Sequence, residues 1–560
     1  MSVVTLGSDA PKVSAEDLHA LGAKAGLTFK PEHEDDFQRL LSAIDQSVTD
    51  LLSGPDHFPQ PDLERYPRTA ISIPSGPTET DKGGWATRVT ATCTSPTSSL
   101  LQGKTVALKD NVALAGVRCT NGTAAMSWTP QLDATITTRI LDAGATITGK
   151  ATCENACMEG VSDTSLTGPV HNPYADWYSA GGSSSGSGRL VATGSVDMAI
   201  GGDQGGSIRI PSSMCGIVGL KPTWGLVPYT GIISLEATID HAGPMTRTVP
   251  DAAKLLEAIA GPDGIDDRQP PFLPPGTLEY SKQLSSFLSS PSDPAKPLTG
   301  IKVGVLEEAF TIPNTDPNIA SLTRTAVTKL ASLGAETKSV SIPAHRNAAI
   351  VWMCNMAIGG GRQGLLSDLT GRKQLYLTDR VKSSGDKLTQ QAFDALSPGG
   401  QNLYLRYLYL EQKYGAELPA KTSNLVRKMN DDYDEALRDV HVLVMPTLPS
   451  PPCRLFTDPP SHGPLERLSR NVGLVGNTAP FNSEPPELQS RKVGEIAGGL
   501  IVRTGTGHPA LTIPIGFVPA HEDETVRLPT GVQIVGGKFR EIECLKVGAA
   551  WEKAFDWKSV

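Results

Sequence analysis

The sequence predicts an α/β fold, in which one large domain has a central mixed β-sheet covered by helices and follows an N-terminal helical segment. Short apolar runs typical of buried strands recur along the chain, at 105–108, 301–305, 340–342 and 442–444. Segments with the helical period of apolar residues accompany them, at 133–143, 317–333 and 434–440. Strands that alternate with helices indicate a parallel or mixed sheet with helices on its faces.

Two amphipathic helices are predicted at the N-terminus. Ser14 and Asp17 have the spacing of a capping box, and Gly26 ends the first helix. Residues 33–53 carry one apolar stripe along a longer second helix, which ends at Gly54. A helical pair this short cannot bury such a stripe alone. We therefore expect the pair to dock on the main body or to form a homodimer with a second copy of the chain.

A proline-rich stretch follows these helices. Residues 54–86 contain six prolines and are interpreted as a linker that crosses the surface of the main body. The sequence shows no internal repeat of 20 to 50 residues. We therefore divide the chain into an N-terminal helical segment, residues 1–75, and one α/β domain, residues 76–560.

Composition restricts the class of partner. The 560 residues include 50 Lys and Arg against 59 Asp and Glu, which gives a net charge of −9, and no run is rich in Lys or Arg. Nucleic acid and anionic membrane are therefore not expected as partners. The expected partner is a small molecule. No signal peptide and no window of 18 apolar residues is present, so the sequence predicts a cytoplasmic protein without a membrane span.

The spacing of the cysteines also favours a cytoplasmic protein. Eight Cys occur without the paired spacing of a disulfide framework, which suits a reducing compartment. Cys153 and Cys157 are the only close pair, and no His or further Cys lies near them to complete a zinc site. We therefore expect buried thiols, no metal and no cofactor.

Three common motifs are approximated, and each lacks an essential part. Residues 144–150 have the spacing of a phosphate-binding loop, but Ala151 stands where the magnesium-binding hydroxyl belongs. Residues 359–364 match the dinucleotide fingerprint, yet the preceding segment is long for a strand, so a helix stopped by glycines is the better interpretation. Residues 182–186 fit a nucleophile elbow, but polar residues precede them instead of an apolar strand.

Two Gly- and Ser-rich turns are the better candidates for a catalytic site. The segments 179–188 and 203–211 both enter hydrophobic stretches, and they can converge on one point. Glycines allow close backbone approach, and successive N–H groups form a donor cluster suited to an oxyanion. A serine beside such a cluster needs a base, and the His residues show no triad order. Lys109, directly after the strand at 105–108, is the alternative, since its amine can point inward from a strand end.

These residues resemble the amidase signature family. The segments that carry the resemblance are GKTVALKDN around Lys109, GGSSSGSG at 181–188, DQGGSIRIP at 203–211, CGIVGLKPT at 215–223 and TGHPALTIP at 506–514. They occur in order between about residue 100 and residue 550. The chain is most similar to bacterial amidases of nitrile metabolism in three features: the motif DQGGSIRIP, the motif VHNP at 170–173 and the N-terminal helices.

The resemblance implies a Ser-cisSer-Lys triad. Ser207 would attack the amide carbonyl as the nucleophile, and Ser183, reached through a cis peptide bond in the family, would relay the proton to Lys109. Neutral Lys109 would be the ultimate base. The backbone N–H groups that would stabilise the tetrahedral oxyanion are those of Gln204, Gly205, Gly206 and Ser207.

Neighbouring residues are assigned supporting roles. We expect Asp203 and Arg209 to pair with nearby loops and brace the site. Ser184 and Ser185 are expected to hydrogen-bond to backbone, and Cys215 is expected to be a small core residue.

The expected activity is hydrolysis of small carboxylic acid amides to carboxylate and ammonia or amine, through a seryl acyl-enzyme. Cleavage of carbamates (urethanes) or aryl anilides is an open alternative, because the same triad accepts any planar acyl-nitrogen centre. From another class, the chain could be the glutaminase-type subunit of a tRNA amidotransferase. The helical N-terminal extension and the lack of a basic run disfavour that alternative.

One segment departs from the family pattern. Some twenty residues, 483–505, separate the NTAPFN motif at 477–482 from the TGHP motif at 506–509, where relatives have almost none. The hypothesis is an extra surface excursion near the substrate entrance.

Overall fold

The computed structural model describes residues 12–289, 293–368, 375–377, 387–482 and 506–559. The 483–505 segment therefore lies outside the described residues. The chain divides into two compact units, one ending at Pro59 and the other beginning at Gln60. The N-terminal segment thus ends before residue 75.

The first unit is a helical pair, α1 (Ala15–Ala25) and α2 (Pro31–Ser53). The predicted capping box is confirmed: Ser14 Oγ accepts from the Asp17 N–H at 3.1 Å, and the Ser14 N–H donates to Asp17 Oδ2 at 2.9 Å. Gly26 ends α1 with a φ of 69°, a conformation that favours glycine. Both helices therefore form where the sequence predicts them.

The second unit contains a sheet of twelve strands. Their bounds are β1 Arg68–Ser72, β2 Trp85–Ala91, β3 Thr105–Lys109, β4 Thr146–Ala151, β5 Met198–Asp203, β6 Val218–Lys221, β7 His241–Thr246, β8 Lys302–Leu306, β9 Glu336–Val340, β10 Val442–Pro446, β11 Ala510–Pro519 and β12 Arg527–Gly536. The order across the sheet is β1-β2-β4-β3-β5-β7-β6-β11-β12-β10-β8-β9. Four pairs are parallel (β4/β3, β3/β5, β10/β8 and β8/β9) and the other pairs are antiparallel, so the predicted mixed sheet is confirmed.

Helices follow most of the strands. The bounds in the second unit are α3 Gly76–Glu79, α4 Thr135–Asp142, α5 Ser185–Thr193, α6 Arg209–Cys215, α7 Val249–Ile259, α8 Tyr280–Ser289, α9 Pro317–Ser332, α10 His345–Gly359, α11 Gln390–Asp394, α12 Pro398–Tyr414, α13 Glu417–Asp439, α14 Pro464–Ser469 and α15 Glu541–Ala554. Among the described residues, none of the helices is both long and apolar enough to cross a bilayer.

Three predicted elements have different bounds. The linker at 54–86 contains β1, which pairs antiparallel with β2, so part of it belongs to the sheet. The strand predicted at 340–342 lies earlier, in β9, whose side chains are largely exposed and carry no apolar signal. The helix predicted at 434–440 is the end of the much longer α13, whose polar outer face conceals the pattern in the sequence.

Both faces of the sheet are covered at β3. Val106 and Leu108 join the largest hydrophobic cluster, to which residues of α4, α7 and α15 belong. Ala107, on the opposite face, packs in a second cluster with Leu190 and Val191 of α5. Because β3 is buried on both sides, the residue at its end is held at a fixed place at the edge of the sheet.

Two of the rejected motifs have structural explanations. The Gly-rich segment at 359–364 ends α10 and continues it as a π-helical turn, as the helical interpretation predicts. A Cβ at Gly361 would collide with Tyr407 of α12, so glycine permits close helix packing there. In the 144–150 segment, Lys150 is buried and lies 3.3 Å from Asp110, so its amine has a structural partner.

Candidate active site

Two parallel strand ends bring the predicted site together. Lys109 is the last residue of β3, and β5 ends at Asp203. The two strands are parallel neighbours, with Leu108 opposite Ile200. Because parallel strands end at the same edge of a sheet, Lys109 lies next to the loop that begins at Gln204.

Lys109 and Ser183 are in direct contact. Lys109 Nζ lies 2.8 Å from Ser183 Oγ and 3.3 Å from the Gly202 carbonyl oxygen, and both side chains are fully buried. The Gly182–Ser183 peptide bond is cis, as the resemblance implies. No carboxylate of the described residues forms an ion pair with Lys109. The 2.8 Å separation allows a proton to pass between the amine and the hydroxyl.

Ser207 lies in the turn between β5 and α6. Its exposed fraction is 9%, whereas Lys109 and Ser183 are 0% exposed. Of the three predicted triad residues, Ser207 is thus the one that keeps access to solvent. Its Oγ forms no hydrogen bond with Ser183 or with any other residue that the structure describes.

The carbonyl groups of Gln204, Gly205 and Gly206 each accept a hydrogen bond. Trp352 Nε1 donates to the Gln204 oxygen at 2.7 Å, and Thr478 Oγ1 donates to the Gly205 oxygen at 2.6 Å. The Ile210 N–H donates to the Gly206 oxygen at 2.7 Å.

These bonds fix the directions of the N–H groups. In a trans peptide the N–H points opposite to the C=O, so the N–H groups of Gly205, Gly206 and Ser207 face away from the three donors. None of them, nor the Gln204 N–H, donates to a residue in the described part of the chain. The loop therefore presents free N–H groups, which is the requirement for binding an oxyanion.

Both glycines of this loop are required by close packing. A Cβ at Gly205 would lie 2.5 Å from the Trp352 ring, and one at Gly206 would lie 2.5 Å from Thr478 Oγ1. Gly206 also has a φ of 142°, which favours glycine. The same contacts that fix the carbonyl groups thus exclude side chains from these positions.

A buried ion pair holds the two ends of the loop. Arg209 donates to Asp203 through Nε and Nη2, both at 2.9 Å, and both side chains are fully buried. Asn482 bonds to both of them, and Arg209 also donates to Thr478 O and Gln533 Oε1, each at 2.8 Å. Burial opposes ionisation of Asp203, but the charge and hydrogen bonds of Arg209 hold the pKa of that carboxyl well below its usual range. The predicted bracing role of this pair is confirmed.

We expect Arg209→Met to reduce the free energy of unfolding by about 3–5 kcal/mol, because it leaves the Asp203 carboxylate buried without its partner. Urea denaturation followed by circular dichroism would measure the loss. The double variant Asp203→Asn/Arg209→Met removes both charges and should recover part of it. A double variant no more stable than Arg209→Met would contradict the ion-pair explanation.

Glu154 supports the turn that carries Ser183. Its N–H donates to the Ser183 carbonyl oxygen at 3.0 Å, and its carboxyl accepts from Ser185 Oγ at 2.6 Å and from the Thr164 N–H at 2.8 Å. Burial raises the pKa of this carboxyl to about 8, against the hydrogen bonds that favour its ionised form. Ser185 thus bonds to a side chain and not to backbone as predicted, whereas Ser184 Oγ does donate to the Gly202 carbonyl oxygen.

The raised pKa of Glu154 makes stability pH-dependent. The unfolded carboxyl releases its proton near pH 4.5 and the folded one near pH 8, so the folded state binds more protons in between and stability falls as pH rises through this window. Glu154→Gln removes the titration and keeps the shape, and the Ser185 hydroxyl can turn to accept from the new amide. We expect the stability of wild type relative to Glu154→Gln to decline between about pH 5 and pH 8 in urea denaturation. A constant difference across that range would exclude the raised pKa.

A narrow cavity, with room for little more than one water molecule, lies beside the Gln204 and Asn111 side chains. Gln204, Asn111 and Cys157 line it together with Met and Leu side chains. A hydrogen bond from Cys153 and the neighbouring Lys109 and Ser183 side chains lower the pKa of the Cys157 thiol, although burial opposes this. Sequence reasoning did not assign Asn111 or Cys157 to the site, although Asn111 lies within the motif around Lys109.

The remaining predictions for this region concern thiols and metals. Cys215 is fully buried and donates to the Ala180 carbonyl oxygen at 3.2 Å, so the core assignment is confirmed. Within the described ranges, no group of three His, Cys, Asp or Glu side chains is arranged to hold a metal ion.

Comparisons with known proteins identify the family of the chain. The family model described as Amidase matches residues 84–545. An enantioselective amidase of Rhodococcus rhodochrous is 37% identical over 506 residues, which cover 87% of each chain. A glutamyl-tRNA(Gln) amidotransferase component of Natronomonas pharaonis is 32% identical over 80% of this chain and 95% of its own.

The fold is also found among solved structures. That of 6-aminohexanoate cyclic dimer hydrolase superposes with a TM-score of 0.64 at 22% identity, covering 82% of this chain and 86% of that one. A likeness at this identity concerns the fold alone. The family match and the relative from Rhodococcus each span most of the sequence, and the matched range of the family model includes Lys109, Ser183 and Ser207. This chain therefore belongs to the Amidase family.

Proposed function

We propose that the protein hydrolyses the C–N bond of small carboxylic acid amides with the triad Ser207, Ser183 and Lys109. The observation that carries the proposal is the 2.8 Å contact between Lys109 Nζ and Ser183 Oγ at the same sheet edge as a loop of free N–H groups. The enantioselective relative supports amides as substrates.

The reaction takes place in two halves. Ser207 Oγ attacks the carbonyl carbon, its proton passes to Ser183, and the Ser183 proton passes to Lys109. The N–H groups from Gln204 to Ser207 bind the oxyanion, a type of contact worth about 3 kcal/mol for each donor lost. The C–N bond then breaks as the nitrogen takes the proton back through Ser183, which leaves an acyl-enzyme and free ammonia or amine. Water, activated by the same relay, attacks the ester and releases the carboxylate.

The test is a substrate panel with the purified chain alone. Propionamide, acetanilide and ethyl carbamate represent the amide, anilide and carbamate classes, with ammonium or aniline release as the readout. We expect the highest kcat/KM for the amide, without ATP or a partner protein. A higher kcat/KM for the carbamate would overturn the amide assignment in favour of a urethanase.

An amidotransferase role is the other function that has to be distinguished from free-standing amide hydrolysis, since several relatives are amidotransferase components. Such a component would release ammonia for a synthetic reaction on tRNA that depends on ATP and partner proteins. Amide hydrolysis by the isolated chain would support a free-standing enzyme. Turnover that requires ATP and an added partner would contradict it.

We also propose that α2 mediates a homodimer. Phe37, Leu40, Ile44 and Val48 lie at helical spacing on α2, and each is at least 41% exposed. Exposed apolar stripes of this kind are typical of interaction surfaces, and a second copy of the chain is the partner we propose. Light scattering of Leu40→Glu/Ile44→Glu in the full chain should give half the mass of wild type. An unchanged mass would exclude α2 from the interface.

We further propose that the protein works in the cytoplasm. All eight cysteines are free thiols, as expected in a reducing compartment. Fractionation of cells expressing the chain, with antibody detection, would test this: recovery outside the cytoplasmic fraction would contradict it.

A further inference from the structure

Two side-chain amides in the cavity beside the loop have unsatisfied hydrogen-bonding groups. Gln204 Oε1 and Asn111 Oδ1 are both buried and accept no hydrogen bond from any residue in the described ranges. Their side chains are 3% and 1% exposed, and both line the narrow cavity, whose other walls are mainly apolar, with Met126, Met158 and Leu235 among them. Each unsatisfied buried acceptor costs about 1–3 kcal/mol.

The orientation of the Gln204 amide is fixed by a neighbour. Gln204 Nε2 donates to Tyr229 Oη at 2.9 Å, and the Tyr229 hydroxyl donates to the Ile233 carbonyl oxygen at 3.5 Å. Burial raises the pKa of Tyr229 well above its usual value, so the phenol keeps its proton for Ile233. The Gln204 nitrogen is thus committed to Tyr229, and the free group in the cavity is the oxygen, which only accepts.

The Asn111 side chain lies beside Lys109. A Cβ placed on Gly202 would lie 3.5 Å from Lys109 Nζ and 3.6 Å from Asn111 Nδ2, so the two side chains flank the same backbone position. The Asn111 carbonyl oxygen accepts from the Ile233 N–H at 2.9 Å, which fixes its backbone. Its side-chain amide forms no hydrogen bond with the described residues.

The thiol of the cavity does not satisfy either oxygen. Cys157 Sγ donates to Asn121 Oδ1 at 3.3 Å, so its proton is already used. The two acceptors therefore remain available for a ligand that carries N–H groups.

The proposed reaction defines how a bound amide is oriented relative to these two acceptors. In the proposed reaction the carbonyl oxygen lies against the loop that contains Gln204. The amide nitrogen lies towards Ser183 and Lys109, from which it takes its proton, and Asn111 stands on that side. The nitrogen is bonded to the carbonyl carbon, so in this reaction its N–H groups would lie on the side of Asn111 and Gln204.

We propose that Gln204 Oε1 and Asn111 bind the N–H groups of the scissile amide, so that the enzyme selects unsubstituted carboxamides over esters and N,N-disubstituted amides with the same acyl group. This inference rests on the proposed amide hydrolysis and names its substrate class. An ester offers no N–H, so both buried acceptors stay unsatisfied when it binds. A site built for a donor discriminates strongly against the analogue that lacks it.

The experiment compares kcat/KM for an amide with kcat/KM for an ester of the same acyl group. We would determine kcat/KM for propionamide and for methyl propionate in wild type, Gln204→Met, Asn111→Leu and Tyr229→Phe. Gln204→Met and Asn111→Leu should lower the amide-to-ester ratio by about 10- to 100-fold, the loss of one buried hydrogen bond. Tyr229→Phe, which releases Gln204 Nε2 without touching the cavity oxygens, should lower the ratio by a smaller factor. Thermal unfolding would establish that each variant is folded.

Other outcomes separate the two proposals. Equal losses for amide and ester would mean that Gln204 and Asn111 only support the loop, and would overturn the inference while leaving amide hydrolysis intact. Unchanged kcat/KM values for both substrates would overturn it too, and would agree with ordered water on the two oxygens. Wild type that hydrolyses neither propionamide nor benzamide would instead overturn the proposed function itself.

Discussion

Ser207→Ala should abolish amide hydrolysis, with a fall in kcat of about 10⁴-fold or more, because removal of a covalent nucleophile leaves only binding and oxyanion stabilisation. The Ser207 hydroxyl forms no hydrogen bond with a described residue, so its loss should leave the fold unchanged. The measurement is ammonium release from propionamide, together with intact-mass detection of the acyl-enzyme. Wild type should show the acyl adduct and the variant should not.

A matched control lies on the same element. Ser213 of α6 is 1% exposed and its hydroxyl also bonds to none of the described residues, but it lies outside the proposed triad. Ser213→Ala should keep activity within about threefold of wild type, as expected for a change away from the reacting atoms. Amide turnover by Ser207→Ala above about a hundredth of the wild-type rate would refute the nucleophile assignment.

The local parts of the candidate site can be located from the sequence. Lys109 was placed by an apolar strand and a recognisable motif, and Ser183 by the Gly/Ser run. These features are encoded within a few residues, so pattern and resemblance suffice to locate them. The mixed sheet followed from the alternation of strands and helices, although β1 was hidden among prolines and β9 lacked an apolar pattern.

The parts that fix the loop were beyond such reasoning. Trp352 and Thr478 orient the carbonyl groups of Gln204 and Gly205 from segments 148 and 273 residues away in the chain. No local pattern links residues at such a separation, because only the packing of α10 and the 477–482 segment brings them to the loop. The same holds for Asn111, whose unsatisfied amide becomes visible only when the cavity is enclosed.

Lys109→Met should lower kcat/KM for amides by about 10²- to 10⁴-fold, the usual contribution of a general base. Methionine keeps the length of the buried chain but removes the amine. The Gly202 carbonyl oxygen still accepts from Ser184 Oγ at 3.2 Å, but the buried Ser183 Oγ loses its hydrogen bond from Lys109 Nζ. The free energy of unfolding should therefore fall by about 1–3 kcal/mol.

A shorter side chain provides a sharper test of the same role. Lys109→Ala leaves space where the amine stood, and the buried position next to Ser183 could then hold a small primary amine. Ethylamine should raise the amide turnover of Lys109→Ala by about tenfold or more, within the range of a restored base, and should not affect Lys109→Met, in which the space is filled. Rescue that follows the concentration of the neutral amine would identify proton transfer as the missing step. Lys109→Met within about tenfold of wild type would refute the base assignment, because the contact between Lys109 and Ser183 would then serve the fold alone.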